Sequence, residues 1–216
     1  MKKELIIFDF DGTLADTQKP IVAAKQKAMQ ELGLKVYDAE TCASTIGLSA
    51  KAGFEKLYPD MDEKELNEAV TVYRNLFEEM KEIMPPTLFP GVRDTLKALK
   101  DAGAVLTIAT SRNTPSLEYF LEKLDIAKYF SYQLGGDDTK LLKPNPEPVL
   151  KTLQELNYSI DQALVVGDMP VDIKMGMGAG VDTCGVTFGN ADYDILKEAG
   201  ATYIIDDMQE LLSLVL

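Results

Sequence analysis

The chain has 216 residues, 46% of them hydrophobic, so it can bury a full core in one large domain or in a core domain with a smaller insertion. Its formal net charge of −13 argues against general binding of nucleic acid or anionic lipid, because an acidic surface repels both. The chain has no histidine, which excludes histidine triads, histidine metal sites and histidine general bases. We therefore expect carboxylates to carry out any proton chemistry.

Two features of the sequence bear on where the protein is found. No stretch stays apolar long enough for a membrane span, and the first apolar run, Leu5–Phe8, is too short for a signal peptide. The two cysteines, Cys42 and Cys184, lie far apart, which favours a reducing compartment without a disulfide framework. We expect a cytoplasmic protein, either a monomer or a homodimer.

The first third of the chain predicts one strand followed only by helices. Leu5–Phe8 is typical of a short buried strand, and Gly12 predicts a tight turn after it. Helical patterns follow at residues 17–33, 39–46, 50–57 and 62–84, with no strand among them. Pro85 and Pro86 then break the chain.

Helices and strands alternate from residue 92 onwards. The predicted helices are 92–102, 114–124 with Thr114 as its N-cap, 147–156, 171–178, 193–199 and a last one after residue 205. The predicted strands are 104–109, 132–134, 163–166, 181–186 and 201–205. Such alternation predicts an α/β fold with a doubly wound, Rossmann-like parallel sheet. We expect a core domain of residues 1–14 and 86–216 and an inserted helical domain of residues 15–85.

An acid pair follows the first predicted strand. Asp9 and Asp11 stand two residues apart, so they start out facing the same way, and the turn at Gly12 can bring both into one site. One carboxylate can attack phosphorus while the other protonates the leaving oxygen, and either can bind a hard cation. Capping or turn aspartates are the simpler interpretation of this pair taken alone.

Three further segments carry polar groups at or beyond predicted strand ends, where ligands of open parallel sheets bind. Asp168 and Asp172 follow the strand 163–166, with Asp168 as the better candidate for a direct Mg²⁺ ligand. Thr110 and its neighbour Ser111 offer hydroxyl groups to phosphate oxygens, although both residue types are also common helix caps. Lys143 stands in a proline-rich loop that fixes its direction, so it can offset the charge of carboxylates and a phosphoryl group.

Together, in this order, the four segments resemble the motifs of the haloacid dehalogenase superfamily, and the helical insertion resembles the helical cap of that family. The resemblance covers essentially the whole chain and implies a phosphatase. It implies that Asp9 is the nucleophile and Asp11 the general acid and base, and that dehalogenation is disfavoured because Asp11 is an acid. Thr110 and Lys143 would be catalytic and would bind phosphate, and Gly12 and Ser111 would also bind phosphate. The magnesium ligands implied are Asp9, Asp168 with Asp172 in support, and Asp11 through its main-chain carbonyl.

Substrate choice would then come from the helical insertion. Lys51 follows a segment that resembles one that related phosphatases point into their site, so it could bind a second anionic group of the substrate. Residues 185–189 and 199–206 look most like phosphoglycolate phosphatases and their pyrophosphatase relatives, which implies a small phosphorylated metabolite. A mutase like beta-phosphoglucomutase is the nearest alternative, disfavoured by the missing histidine. A non-catalytic phosphate-sensing module is the other alternative, disfavoured because the implied catalytic side chains are all present.

Overall fold

A parallel sheet of six strands forms the centre of the protein, whose structure is a computed structural model that describes residues 2–216. The strands in chain order are β1 (Leu5–Phe8), β2 (Ala15–Asp16), β3 (Thr87–Leu88), β4 (Val105–Ala109), β5 (Phe130–Leu134), β6 (Ala163–Gly167), β7 (Asp182–Val186) and β8 (Tyr203–Ile205). The sheet has the order β5-β4-β1-β6-β7-β8, and every neighbouring pair is parallel. The predicted parallel α/β fold is therefore confirmed, with β1 between β4 and β6.

Helices cover both faces of this sheet. They are α1 (Gln18–Glu31), α2 (Ala39–Ala43), α3 (Ala50–Leu57), α4 (Glu63–Ile83), α5 (Val92–Asp101), α6 (Thr114–Lys123), α7 (Glu147–Leu156), α8 (Pro170–Gly178), α9 (Tyr193–Glu198) and α10 (Leu211–Val215). Leu5 and Ile7 of β1 pack with residues of α7 and α8, whereas Ile6 and Phe8 pack with residues of α5, α6 and α10. Alternate residues of a strand face opposite sides, so a fully apolar β1 is what a sheet covered on both faces requires. Among the described residues, no helix combines the length and apolar character that crossing a membrane needs.

The four helices α1 to α4 lie between two short strands that the sequence did not reveal. Ala15 of β2 pairs with Leu88 of β3, and Asp16 pairs with Thr87, in an antiparallel ribbon. Two residues per strand are too few to show an alternating pattern, which explains why the prediction missed them. The ribbon lies where the predicted helical insertion begins and ends, and β2 occupies its first two residues. The division at residues 14/15 and 85/86 stays a prediction.

Several predicted element ends were wrong by a few residues. The helix predicted at 39–46 ends at Ala43, and the strand predicted at 201–205 begins at Tyr203. The N-cap of α6 is Asn113, whose side chain accepts a hydrogen bond from the Ser116 amide at 3.2 Å. Thr114 was the wrong choice because its hydroxyl instead donates to Asp137 and Asp138, in the loop after β5.

Candidate active site

Parallel strand register brings the candidate residues to one edge of the sheet. Phe8, the last residue of β1, pairs with Ile108 on one side and Val166 on the other. Asp9 therefore emerges between the ends of β4 and β6, where Thr110 and Asp168 also emerge. This carboxyl edge is where open parallel sheets bind ligands.

Three carboxylates and one lysine meet there, all of them buried. Oxygen atoms of Asp9, Asp168 and Asp172 lie within 4.8 Å of one another. The Lys143 ammonium donates to Asp9 Oδ1 at 2.5 Å and to Asp172 Oδ1 at 2.6 Å, although Lys143 is 134 residues away from Asp9 in sequence. None of the four residues is more than 6% exposed. Since like charges repel strongly at low dielectric, such a cluster needs positive charge close by.

Burial and neighbouring charges shift the pKa values in this cluster. Burial raises the pKa of Asp9 well above its ordinary value; Lys143 opposes the rise, and Asp172 and Asp168 add to it. Burial alone would lower the pKa of Lys143, but Asp172 and Asp9 raise it above its usual range. The neighbouring carboxylates therefore favour the charged form of Lys143.

Hydrogen bonds hold two of the carboxylates in place. Asp168 Oδ2 accepts from the backbone and side-chain nitrogens of Asn190 at 2.8 and 2.7 Å, and its Oδ1 accepts from the Thr13 hydroxyl at 3.2 Å. Asp172 Oδ2 accepts from the Met169 amide at 3.0 Å. Fixed carboxylates lose little conformational freedom when they bind a ligand, so this edge is preorganised.

One atom of the cluster lacks any hydrogen-bonding partner among the described residues. Asp9 Oδ2 is buried, yet no donor reaches it. An unpaired buried oxygen is costly, and here it lies beside two further carboxylates. Oxygen ligands of this kind suit a hard divalent cation, and the residues present therefore fit such a metal.

The Asp11 side chain points to Arg112 and not to the three clustered carboxylates, while the metal ligation implied for its main-chain carbonyl stays a prediction. Its carboxylate accepts a pair of hydrogen bonds from Arg112, Nε to Oδ2 at 3.0 Å and Nη2 to Oδ1 at 2.5 Å. The Arg112 guanidinium also lies 4.9 Å from the ring centre of Phe77 on α4 and 4.8 Å from that of Phe120 on α6. Among the described residues, the side-chain carboxylates close enough together to hold a metal ion are therefore those of Asp9, Asp168 and Asp172.

The tight turn predicted at Gly12 is present, and it brings the backbone against the acid cluster. Gly12 has a φ of +89°, and a Cβ there would lie 2.2 Å from Asp168 Oδ2 and 2.3 Å from Asn190 Nδ2. Only glycine fits, both because of the left-handed backbone and because of the close approach. The predicted role of Gly12 in phosphate binding stays a prediction.

The remaining candidates line a cavity of about 530 Å³ between the sheet edge and helices α1, α3 and α4. Asp9, Asp11 and Thr110 lie on its sheet side, where Thr110 Oγ1 accepts from the Arg112 amide at 3.2 Å. Ser111 donates to the Gly47 carbonyl oxygen at 2.6 Å, so its hydroxyl joins the core to the helical region. Lys51 lines the helical side and pairs with Glu63 at 2.5 Å.

Sequence reasoning missed two residues that organise the site. Arg112 lies in a segment that drew attention, but its pairing with Asp11 spans 101 residues and leaves no local signal. Asn190 lies beyond β7, and only the fold shows that it reaches Asp168. A polar residue following a predicted strand was the one available signal for Asn190.

Comparison with known proteins agrees with this geometry. Residues 6–186 match the model of haloacid dehalogenase-like hydrolases. A phosphoglycolate phosphatase of Salmonella typhi is 34% identical over 96% of this chain and 90% of its own length, and one of Aquifex aeolicus is 36% identical over 86% and 85%. The crystal structure of a predicted phosphatase from Clostridium acetobutylicum is 29% identical with a TM-score of 0.91, covering 100% of this chain and 99% of that one.

These matches, with the fold and the acid cluster, define the class of the protein, which is an enzyme that hydrolyses phosphoric monoesters. The chain belongs to the haloacid dehalogenase-like hydrolase family. The resemblance predicted from the four segments and the prediction of a phosphatase are thereby confirmed.

Proposed function

We propose that the protein hydrolyses a small phosphorylated metabolite of the phosphoglycolate type, with Mg²⁺ bound and with a phosphoryl group carried transiently on Asp9. The placement of Asp9 is the observation that carries the proposal. Asp9 is a buried carboxylate with one oxygen on Lys143 and the other unpartnered, at the wall of a cavity that suits a small ester. The relatives named phosphoglycolate phosphatase support the substrate class.

In the first step, an Asp9 oxygen forms a bond to phosphorus as the bond from phosphorus to the ester oxygen breaks. Asp11 gives its proton to the departing oxygen, and Thr110 and Lys143 bind the phosphoryl oxygens. In the second step, Asp11 takes a proton from water, and the resulting hydroxide attacks phosphorus. The Asp9–phosphorus bond then breaks, which frees phosphate and restores the Asp9 carboxylate.

Asp11 must become a proton donor, and its ion pair with Arg112 opposes this. Both Asp11 oxygens accept hydrogen bonds from Arg112, so at least one of these bonds has to break before that oxygen can act as a donor to the departing oxygen. Arg112 also packs on Phe77 of α4. Movement of α4 away from the sheet edge would remove the Phe77 contact from Arg112, the partner of Asp11, which links helical-domain motion to proton transfer.

Asp9, Asp168 and Asp172 are the residues that would hold the cation. When bound, Mg²⁺ supplies positive charge that stabilises the phosphoryl oxygens. Together with Lys143, a dication offsets the three carboxylates, and the site can then accept an anionic ester although the chain is strongly acidic. The charge of the whole chain is thus compatible with a phosphate ester as substrate.

Metal binding should depend on pH through Asp168. Burial, followed by the charge of Asp172, raises the pKa of Asp168 from 3.8 to about 7, against the hydrogen bonds from Asn190. Because the folded protein then binds this proton more tightly than the unfolded chain, we expect the metal-free protein to lose stability as pH rises from about 4 to about 7.

Mg²⁺ should remove that loss, because it competes with the proton for Asp168. Urea unfolding at a series of pH values, with Mg²⁺ or with chelator, measures both effects. The stabilisation by Mg²⁺ should be larger at about pH 8 than at about pH 5. Stabilisation that is the same at both ends would contradict the assignment of Asp168 as a metal ligand.

A substrate panel tests the proposed function. Phosphate release from 2-phosphoglycolate, ethyl phosphate, pyrophosphate and beta-glucose 1-phosphate would be measured with Mg²⁺ and again after chelation. We expect 2-phosphoglycolate to have a kcat/KM at least roughly tenfold above that of pyrophosphate, and activity to vanish with chelator. Glucose 6-phosphate formed from beta-glucose 1-phosphate would identify a mutase, and no turnover of any of the four compounds would contradict the proposed substrate class.

The proposal extends to the compartment. Cys42 and Cys184 are both free and both buried. Two unpaired thiols support a reducing environment such as the cytoplasm.

A further inference from the structure

Lys25, on α1, is a buried lysine without an ion-pair partner. It is 3% exposed, and its ammonium donates to the Thr45 hydroxyl and, at 3.4 Å, to the Cys42 carbonyl oxygen. Among the described residues, no carboxylate oxygen lies within 4.0 Å of the Lys25 ammonium, the distance that defines an ion pair. Both partners of this ammonium are therefore neutral.

The other buried lysines of the described residues show what Lys25 lacks. Lys81 pairs with Glu78 at 2.5 Å, and Lys143 pairs with Asp9 and Asp172. A buried ammonium without an opposite charge gives up its hydration and receives little in return, which destabilises the folded protein. The same burial lowers the pKa of Lys25 to about 8, so it still carries its charge near neutral pH. An anionic ligand would compensate this charge.

Lys25 lies in the wall of the active-site cavity. Lys25 and Thr45 line the helical side of that cavity, whereas Asp9, Asp11 and Thr110 line the sheet side. An ammonium group has three donor hydrogens, and the two neutral acceptors leave one of them free. Thr45 in turn donates its hydroxyl hydrogen to the Cys42 carbonyl oxygen at 2.7 Å. Of these two side chains, Lys25 is therefore the one with a donor hydrogen left for a ligand.

We propose that Lys25 forms a second anion subsite, which binds the carboxylate of a substrate whose phosphate lies at Asp9. This inference rests on the proposed function, and it makes the substrate a small phosphate ester with a second negative group. Lys51, which the sequence suggested for such a group, already pairs with Glu63 and has a side chain that is 42% exposed. A solvated, paired lysine attracts a carboxylate less strongly than a buried, unpaired one.

Two substrates with the same number of carbon atoms test the subsite. 2-Phosphoglycolate and ethyl phosphate share a two-carbon skeleton and differ in a carboxylate that replaces a methyl group. The ratio of their kcat/KM values isolates the contribution of the carboxylate. Lys25→Met should lower this ratio at least about tenfold, the effect of losing one hydrogen bond to a charged group. Lys25→Arg should restore part of the ratio because it keeps the charge.

A control variant distinguishes carboxylate binding by Lys25 from a general effect of removing a lysine from α1. Lys19→Met removes an exposed lysine of the same helix that does not line the cavity, and it should leave the ratio unchanged. An unchanged ratio in Lys25→Met, with both esters slowed equally, would assign Lys25 a purely structural role and overturn the proposal. A fall in Lys51→Met without one in Lys25→Met would overturn it as well.

Stability is checked separately by thermal unfolding. If Lys25→Met does not fold, Lys25→Gln, which can keep the hydrogen bonds to Thr45 and Cys42, is used for the same ratio. Failure of the proposed function itself looks different, because the unchanged enzyme would then hydrolyse neither ester.

Discussion

Replacing Asp9 with asparagine is expected to lower phosphate release by about a thousandfold or more, because an amide oxygen is a far weaker nucleophile than a carboxylate. The substitution keeps the size of the side chain and an oxygen for Lys143 to donate to. Loss of activity therefore reports on chemistry more than on folding. Steady-state release of phosphate from 2-phosphoglycolate with saturating Mg²⁺ measures the effect.

Asp101→Asn provides the matched control for this experiment. Asp101 is exposed at the end of α5 and, among residues 2–216, pairs only with Lys97, so the same chemical change there should leave the rate unaltered. Thermal unfolding of both variants checks that each is folded. If Asp9→Asn kept a rate within about tenfold of the original enzyme, Asp9 would not be the nucleophile.

Replacing Lys143 with methionine is expected to affect both activity and stability. The change leaves the Asp9 and Asp172 carboxylates buried without the cation that donates to both. Breaking a buried ion pair in this way lowers the free energy of unfolding by about 3 kcal/mol or more. Phosphate release should also fall by about a hundredfold or more, since the lysine offsets charge in the transition state. Lys140→Met, an exposed lysine of the same loop, is the control.

The stability lost in Lys143→Met should depend on pH. The pKa of Asp9 is already raised by burial, and Lys143 is the charge that holds it down, so without this lysine the pKa rises further. When a carboxyl group has a raised pKa in the folded state, the free energy of unfolding of the protein falls as pH rises through that pKa. Urea unfolding in chelator should thus show a smaller deficit at about pH 5 than at about pH 8. A deficit that grows towards acid pH would contradict the assignment of Lys143 as the counter-charge of these carboxylates.

Much of the fold could be predicted because its signals are local. The apolar run of β1, the proline in the first turn of α6, and the exact span of α7 are all visible within about ten residues of sequence. Strand ends followed by acids indicated the edge of the sheet at which Asp9 and Asp168 now lie together. The alternation of strands and helices predicted parallel strands, and the segments that follow parallel strands share one edge of the sheet.

The rest depends on distances that no local pattern encodes. The pairing of Arg112 with Asp11 and the contact of Asn190 with Asp168 each join segments far apart in the chain. Lys25 looks in sequence like one polar residue among several on α1, and only the packing of α1 against α2 reveals that it is buried without a counter-charge. The positions of charged side chains relative to each other are set by the whole fold.

The most direct test of the central claim is to trap the phosphoryl group on Asp9. Asp11→Asn removes the proposed base of the second step, so with p-nitrophenyl phosphate and Mg²⁺ the phosphorylated enzyme should accumulate. Borohydride reduction of the acid-quenched protein converts an aspartyl phosphate to homoserine, which peptide mass spectrometry locates. We predict homoserine at residue 9, formed together with a burst of p-nitrophenol and absent in chelator. A burst with an unmodified Asp9, or homoserine at a different aspartate, would contradict the assignment of Asp9 as the nucleophile.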